Sequence, residues 1–193
     1  MPPSVPHLDL SHGQVLWCLA GGREPPQALR DQVRYLRQLG IPFEESEQGQ
    51  GRGVRHSYGY FHLIEVGVAF EALRQAVPPR LLKMLVDDRT RYRNLYEFAY
   101  SELEPHPGLF EGDPRARRLM GDELLIRLHD RYSESPGKIS LSGDVSGAGR
   151  KLGDLVESVK GDDNLVVIPL KSLVLHLVGL AKIAPATRPG PKR

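Results

Sequence analysis

The sequence predicts a mainly α-helical fold with a small β-wing, followed by a C-terminal α or α+β domain. Over most of the first half, apolar residues recur at intervals of three or four, which is the spacing of an amphipathic helix. The segment 41–60, IPFEESEQGQGRGVRHSYGY, breaks this pattern, and its glycines and short polar runs indicate two brief strands joined by a loop. The apolar pattern changes again near Pro105, so we expect two domains.

Two short helices are predicted before the wing. The first covers Ser11 to Ala20 and ends at two consecutive glycines, which can adopt left-handed backbone angles. The second covers residues 26–39, because the pair Pro25–Pro26 suits a first helical turn and Gly40 ends the pattern. One side of this second helix is apolar, and three arginines lie mostly away from that side: Arg30, Arg34 and Arg37.

Two further helices are predicted after the wing. Phe61 to Ala76 has apolar residues three or four positions apart, and Pro78–Pro79 opens a helix that either ends early or continues to Leu103. Within this last segment a possible dimer seam recurs every seven residues, with Asp88 interrupting it; its members are Leu85, Tyr92 and Ala99.

The second half has a different character. We predict a loop at 104–114, a helix from Arg115 to Tyr132, a Gly/Ser-rich stretch at 134–150 and a helix near 151–160. The segment GDVSGAGRKLGD at 143–154 lacks the spacing of a phosphate-binding loop and is predicted to be a flexible loop. The β-branched run NLVVIPL and a last apolar segment to Ile183 are either a core strand and helix or a buried subunit interface.

Composition narrows the function classes. The formal net charge is only +2, so any nucleic-acid surface must come from local clustering. The single cysteine, Cys18, excludes an internal disulfide and a multi-thiolate metal site, and it is predicted to be a small buried side chain. The histidines show no HExxH spacing, so we expect no enzyme, cofactor or metal site. The N-terminus lacks a secretory pattern and the longest apolar region is interrupted, which predicts a cytoplasmic protein without a membrane span.

The order of helix, turn, helix and glycine-tipped hairpin is typical of winged helix-turn-helix DNA readers. The segment QVRYLRQLGIPF at 32–43 resembles the signature in which the mercury-resistance-regulator (MerR) family writes a recognition helix ending in Arg-Tyr before the wing. Gly53-Val54-Arg55 is similar to that family's Gly-aromatic-Arg, and the start of its fourth helix resembles residues 79–82. The resemblance covers about residues 13–85.

This resemblance implies a sequence-specific duplex DNA-binding transcription regulator, nucleoid-associated and paired as a homodimer through the helix after the module. Arginine can fork onto guanine or clamp a phosphate, and a tyrosine hydroxyl can donate to phosphate oxygen. The predicted DNA contacts are Arg30, Arg34, Tyr35 and Arg37 on the helix, with Arg52, Arg55 and Tyr58 in the wing. The chain departs from the family by Asp31 on the reading helix, by acidic residues in the wing and by a longer link between the first two helices.

Two alternatives stay open at this point. The winged fold also serves excisionase-like or architectural DNA-binding proteins of phages and mobile elements. An acidic wing and a near-neutral charge also permit a protein-interaction module without DNA binding. Another regulator or RNA polymerase is a further expected partner. The predicted division is a flexible arm at 1–10, the DNA module at 11–85, a linker or dimerisation helix at 86–104, an oligomerisation or sensor domain at 105–183 and a disordered basic tail at 184–193.

Overall fold

The computed structural model describes residues 5–43, 56–101, 103, 125–132, 139–146 and 164–186, which are mainly helical. Most of the predicted wing, the predicted loop at 104–114 and the predicted helix near 151–160 lie outside the described residues. The helices in the described part are α1 (His12–Leu19), α2 (Gln27–Gln38), α3 (Tyr60–Arg74), α4 (Lys83–Asp87), α5 (Arg89–Ser101) and α6 (Leu170–Ile183), with a 3-10 turn at Pro79–Leu82.

Local sequence signals explain the ends of α1 and α2. Ser11 caps α1, because its hydroxyl accepts from the Gln14 backbone N–H while the Gln14 side chain accepts from the Ser11 N–H. At the end of α2, Gly40 has a φ of 83°, and the next N–H, of Ile41, donates to the Leu36 carbonyl oxygen at 3.0 Å. This is a Schellman-type end that glycine adopts without strain. Both predicted helices are therefore confirmed, with α2 ending before Gly40 as expected.

The segment after α3 forms two helices rather than one continuous helix. The 3-10 turn leads into α4, and α5 begins anew at Arg89, directly after Asp88. The predicted dimer seam faces inward, because Leu85, Tyr92 and Ala99 are all buried in the core of the same chain. These residues are therefore not available to contact a second copy of the chain. The homodimer remains a prediction, but the seam predicted for it is wrong.

The three described strands form one antiparallel sheet, with β1 (Leu125–Tyr132) between β2 (Ile139–Ser146) and β3 (Asn164–Pro169). Leu125 pairs with Ser146 on one side and with Pro169 on the other. The helix predicted from Arg115 to Tyr132 is therefore wrong over the residues of β1, where cross-strand pairing outweighs a weak helical pattern. The predicted flexible loop at 143–154 is likewise wrong over its first four residues, which belong to β2.

The apolar segment at the end of the chain is a strand followed by a helix, as one of the two expectations for it stated. Helix α6 packs against α1, α3 and α5, and its Val174 and Leu177 are buried in the core that those helices share. Gly67 in α3 permits close contact with α6, because a Cβ built there would lie 2.4 Å from Leu177 Cδ1. The last helix therefore belongs to the same hydrophobic core as the predicted DNA module, although it lies far away in sequence.

The chain before α1 is anchored to the segment that follows the predicted wing. Leu10 and Tyr58 form an antiparallel bridge, with backbone N–H to oxygen distances of 3.1 and 2.8 Å, and the Ser57 hydroxyl donates to the Asp9 carboxylate. Leu10 is buried, and Val5 and Leu8 pack against the core. The flexible arm predicted for residues 1–10 is corrected over this stretch, because burial of its apolar side chains holds it in place.

Candidate nucleic-acid interface

Three arginines of α2 converge on one cleft between α1 and α2. Arg30, Arg34 and Arg37 line it together with His12 and Leu16 of α1, and the cleft has a volume of about 260 Å³. Residues at i, i+4 and i+7 lie on one side of a helix, one above another, so the α2 periodicity itself stacks the guanidinium groups. The sequence analysis placed Arg30 and Arg34 on one side, and the structure adds Arg37 to the same group.

Carboxylates of the same chain hold two of these arginines. Arg30 donates to Glu24 Oε1 at 2.7 Å and to the Pro25 carbonyl oxygen at 3.2 Å, and Arg34 donates to Asp31 Oδ1 at 3.0 Å. The Arg34 and Asp31 side chains are 69% and 52% exposed, so their attraction is weak and readily exchanged for another anion.

Arg37 has a different environment from the other two arginines. Its guanidinium lies over the ring of Phe43, 6.0 Å from the centroid, and among the described residues no carboxylate is within ion-pair distance of it. Phe43 itself is buried at the base of the predicted wing. A cation over an aromatic face keeps its N–H groups available at the ring edge, so Arg37 can still bind an anion.

His12 is a member of the cleft that the sequence analysis did not select. It occupies the first turn of α1, and its Nδ1 lies 3.0 Å from the Tyr58 hydroxyl. Burial lowers the pKa of His12, and the positive charges of Arg37, Arg30 and Arg34 lower it further. The sequence shows that His12 directly follows Ser11, the residue that caps α1. Nothing in the neighbouring sequence indicates that three arginines of α2 lie on the same cleft as His12.

Tyr58 was predicted among the DNA contacts, and the structure places it in the interior instead. It is 1% exposed, its hydroxyl meets His12, and its ring packs edge-on against Phe43 at a centroid distance of 4.8 Å. Burial raises the pKa of the Tyr58 hydroxyl, while the charge of Arg37 opposes the rise. This correction has a packing cause, since the bridge to Leu10 turns Tyr58 into the core.

Of the remaining predicted contacts, only Tyr35 belongs to the part of the chain that the structure describes. Tyr35 is 43% exposed on α2 but does not line the cleft. Successive helical residues are about 100° apart around the axis, so Tyr35 points away from the side that carries Arg34. Arg52 and Arg55 lie outside the described residues. Cys18 is buried, as predicted, and its burial raises the pKa of the thiol to about 11.

Comparison with protein-family models, curated proteins and solved structures finds no match for this chain. Among the described residues, no helix is both long and apolar enough to cross a membrane. The same residues contain no group of three or more histidine, cysteine or acidic side chains placed to hold a metal ion.

Proposed function

We propose that this protein is a sequence-specific duplex DNA-binding transcription regulator that reads DNA with α2. The observation that carries the proposal is the convergence of Arg30, Arg34 and Arg37 on one open cleft beside α1. A helix that presents stacked arginines next to a second helix matches the requirement for one helix in the major groove and neighbouring groups on the phosphates.

The electrostatics of this surface supports the same conclusion. The chain carries a net charge of only +2, yet three positive groups occupy less than three turns of α2. Phosphate contacts of this kind supply affinity through counterion release, and arginine forks supply base discrimination. Asp31 opposes both effects, because a carboxylate beside Arg34 repels the phosphate backbone.

The decisive experiment is a genome-wide selection of bound DNA fragments, followed by fluorescence anisotropy on the enriched duplex at a stated salt concentration. We expect Arg34→Ala and Arg37→Ala each to weaken binding by about 5- to 150-fold, the range that 1–3 kcal/mol per contact represents. Asp31→Asn should strengthen it, because it removes a repulsive charge. Absence of enrichment at low salt would overturn the proposal.

Arg74→Ala is the matched control for Arg34→Ala. Arg74 lies on α3 and not on the cleft, its side chain is 62% exposed, and it pairs with Glu71 at 2.9 Å with the same i,i+3 spacing. We expect this variant to bind DNA as the unaltered chain does. Equal losses of DNA affinity in Arg74→Ala and Arg34→Ala would show that binding depends only on overall positive charge and would contradict the role assigned to α2.

One observation favours a second candidate, a protein-interaction module without DNA binding. Glu24 and Asp31 already neutralise two of the three cleft arginines within the chain. In that case Arg34→Ala leaves any DNA affinity unchanged and instead weakens capture of a protein partner. For a DNA-binding chain, reporter repression compared with recombination assays distinguishes regulation from an excisionase-like role.

A further inference from the structure

The side chain that distinguishes this cleft from an ordinary arginine surface is His12. It is half-buried, it lines the cleft, and it faces charged groups from the neighbouring helix, namely Arg30, Arg34 and Arg37. Within the described part of the chain, the other titratable group in contact with it is Tyr58, whose hydroxyl lies 3.0 Å from Nδ1. Among the described residues, Glu24 and Asp31 form ion pairs with the cleft arginines Arg30 and Arg34.

The contact with Tyr58 persists in both charge states of the ring. A hydroxyl can donate to the lone pair of a neutral imidazole, and it can accept from the N–H of an imidazolium. The ring is also held by its place on α1, where Ser11 and Gln14 cap the helix. His12 can therefore gain a proton without leaving the cleft, which then carries one more positive charge.

An anion in the cleft reverses the electrostatics that the free protein imposes on this histidine. Without a ligand, burial and three arginines favour the neutral ring. A phosphate group placed among the arginines neutralises part of that repulsion and attracts the fourth positive charge. The protonated ring binds phosphate more tightly than the neutral ring, so phosphate raises the population of the protonated state. By linkage, the proton raises the affinity for phosphate by the same factor, and the two bind with positive cooperativity.

We propose that the cleft between α1 and α2 is a binding site for a single phosphate group, with His12 as its fourth donor, and that binding takes up one proton from solvent onto the His12 ring. The identification of that phosphate as part of a DNA backbone rests on the proposed function above. The shared chemistry, a tetrahedral phosphate oxyanion, also occurs in free phosphate.

The DNA arm measures duplex affinity by anisotropy between pH 5.5 and 7.5 for the full chain and for His12→Asn. Asparagine keeps a polar group near the position of Nδ1 for Tyr58 but cannot gain a charge. We expect the unaltered chain to bind up to about tenfold more tightly at the lower pH than this variant does, since one unit of pKa change on binding corresponds to tenfold.

His176→Asn is the matched control, because His176 is exposed on α6 and does not line the cleft. It should retain the pH dependence of the unaltered chain. Duplex binding with the same pH profile in His12→Asn and in the unaltered chain overturns the inference, while leaving the proposed function intact if Arg34→Ala still weakens binding.

The second arm titrates inorganic phosphate and follows the His12 ring resonances by NMR. We expect the pKa of His12 to rise as phosphate is added, and Arg37→Ala to reduce that rise. If duplex DNA fails to bind but phosphate raises the His12 pKa, the site stands and the proposed function fails. If neither duplex nor phosphate changes the His12 pKa, the inference is wrong.

Discussion

Arg89 and Glu65 form a buried, two-pronged ion pair that also holds the C-terminal end of α2. Arg89 donates through Nε at 3.1 Å and Nη2 at 2.8 Å to Glu65 Oε1, and Nη2 also donates to the Gly40 carbonyl oxygen at 2.7 Å. Glu65 and Arg89 are 1% and 7% exposed. This contact joins α3, α5 and the residue that ends α2, so the position of the arginine-bearing helix depends on the start of α5.

Removing one member of this pair should be severely destabilising. Arg89→Ala leaves the Glu65 carboxylate and the Gly40 carbonyl without their donor, so we expect a loss of about 3–5 kcal/mol in the free energy of unfolding. Urea denaturation measures it. Arg91→Ala, which breaks an exposed ion pair with Asp88, should change stability by less than about 1 kcal/mol.

The double variant Arg89→Met with Glu65→Leu provides the complementary test. Replacing both charges with apolar side chains of similar size removes the whole ion pair and leaves neither partner as an uncompensated charge, so most of the stability lost in Arg89→Ala should return. A loss in Arg89→Ala no larger than in Arg91→Ala would contradict the role assigned to the buried pair.

Ala76 is an uncommon residue for its backbone conformation. It follows α3 with a φ of 62°, and its neighbour Val77 donates its N–H to the Ala72 carbonyl oxygen at 3.0 Å. The left-handed region penalises a non-glycine residue by about 1–2 kcal/mol, which exceeds the roughly 0.4–1 kcal/mol that glycine loses through unfolded-chain entropy. Ala76→Gly should therefore stabilise the protein by about 0.5–1 kcal/mol in urea denaturation.

Ala28→Gly is the control for that substitution, because Ala28 is also exposed but lies inside α2. There glycine gains no conformational advantage and should lower stability by up to about 1 kcal/mol. A destabilised Ala76→Gly would show that the backbone at this position is not strained.

The contact between Gly67 and Leu177 predicts a change of sign between two backgrounds. Gly67→Ala places a methyl 2.4 Å from Leu177 Cδ1, and such overpacking should be destabilising by about 1–3 kcal/mol, against a helix-propensity gain of about 1 kcal/mol. In a Leu177→Ala background the obstruction is gone, so the same substitution should stabilise. Thermal or urea unfolding of the four chains completes the cycle, and additive effects would exclude the contact.

The lowered pKa of His12 should make the folded protein less stable as the pH falls. Its pKa is lowered in the folded chain from an ordinary value of 6.5, so below that value the unfolded chain binds a proton that the folded chain resists. Stability that is present above pH 6.5 is therefore lost as the pH falls toward the folded-state pKa. Urea denaturation at pH 7.5 and 5.5 should show a smaller loss in His12→Asn than in the unaltered chain or in His176→Asn, and equal losses in all three would refute this assignment.

The elements that local sequence predicted are those whose signals lie within a few residues of each other. Pro25 and Pro26 mark the start of α2 and Gly40 marks its end, because each of these residues restricts or permits the conformation of its own backbone. The strands β1 and β2 were missed because their pairing joins separate segments, with partners up to 21 positions apart such as Leu125 and Ser146, and their own patterns were weak. Of the candidate site, the arginines of α2 could be named from their spacing, whereas His12 could not.

The sequence by itself determined α1, α2 and the alignment of Arg30 with Arg34, since helical periodicity places every fourth side chain on one side. Only the tertiary structure decided what those arginines face. Packing of α1 against α2 brings His12 into their cleft, the bridge to Leu10 turns Tyr58 inward, and α6 returns from the far end of the chain to complete the core. These outcomes depend on burial of apolar surface between distant segments, a quantity that no local window of sequence contains.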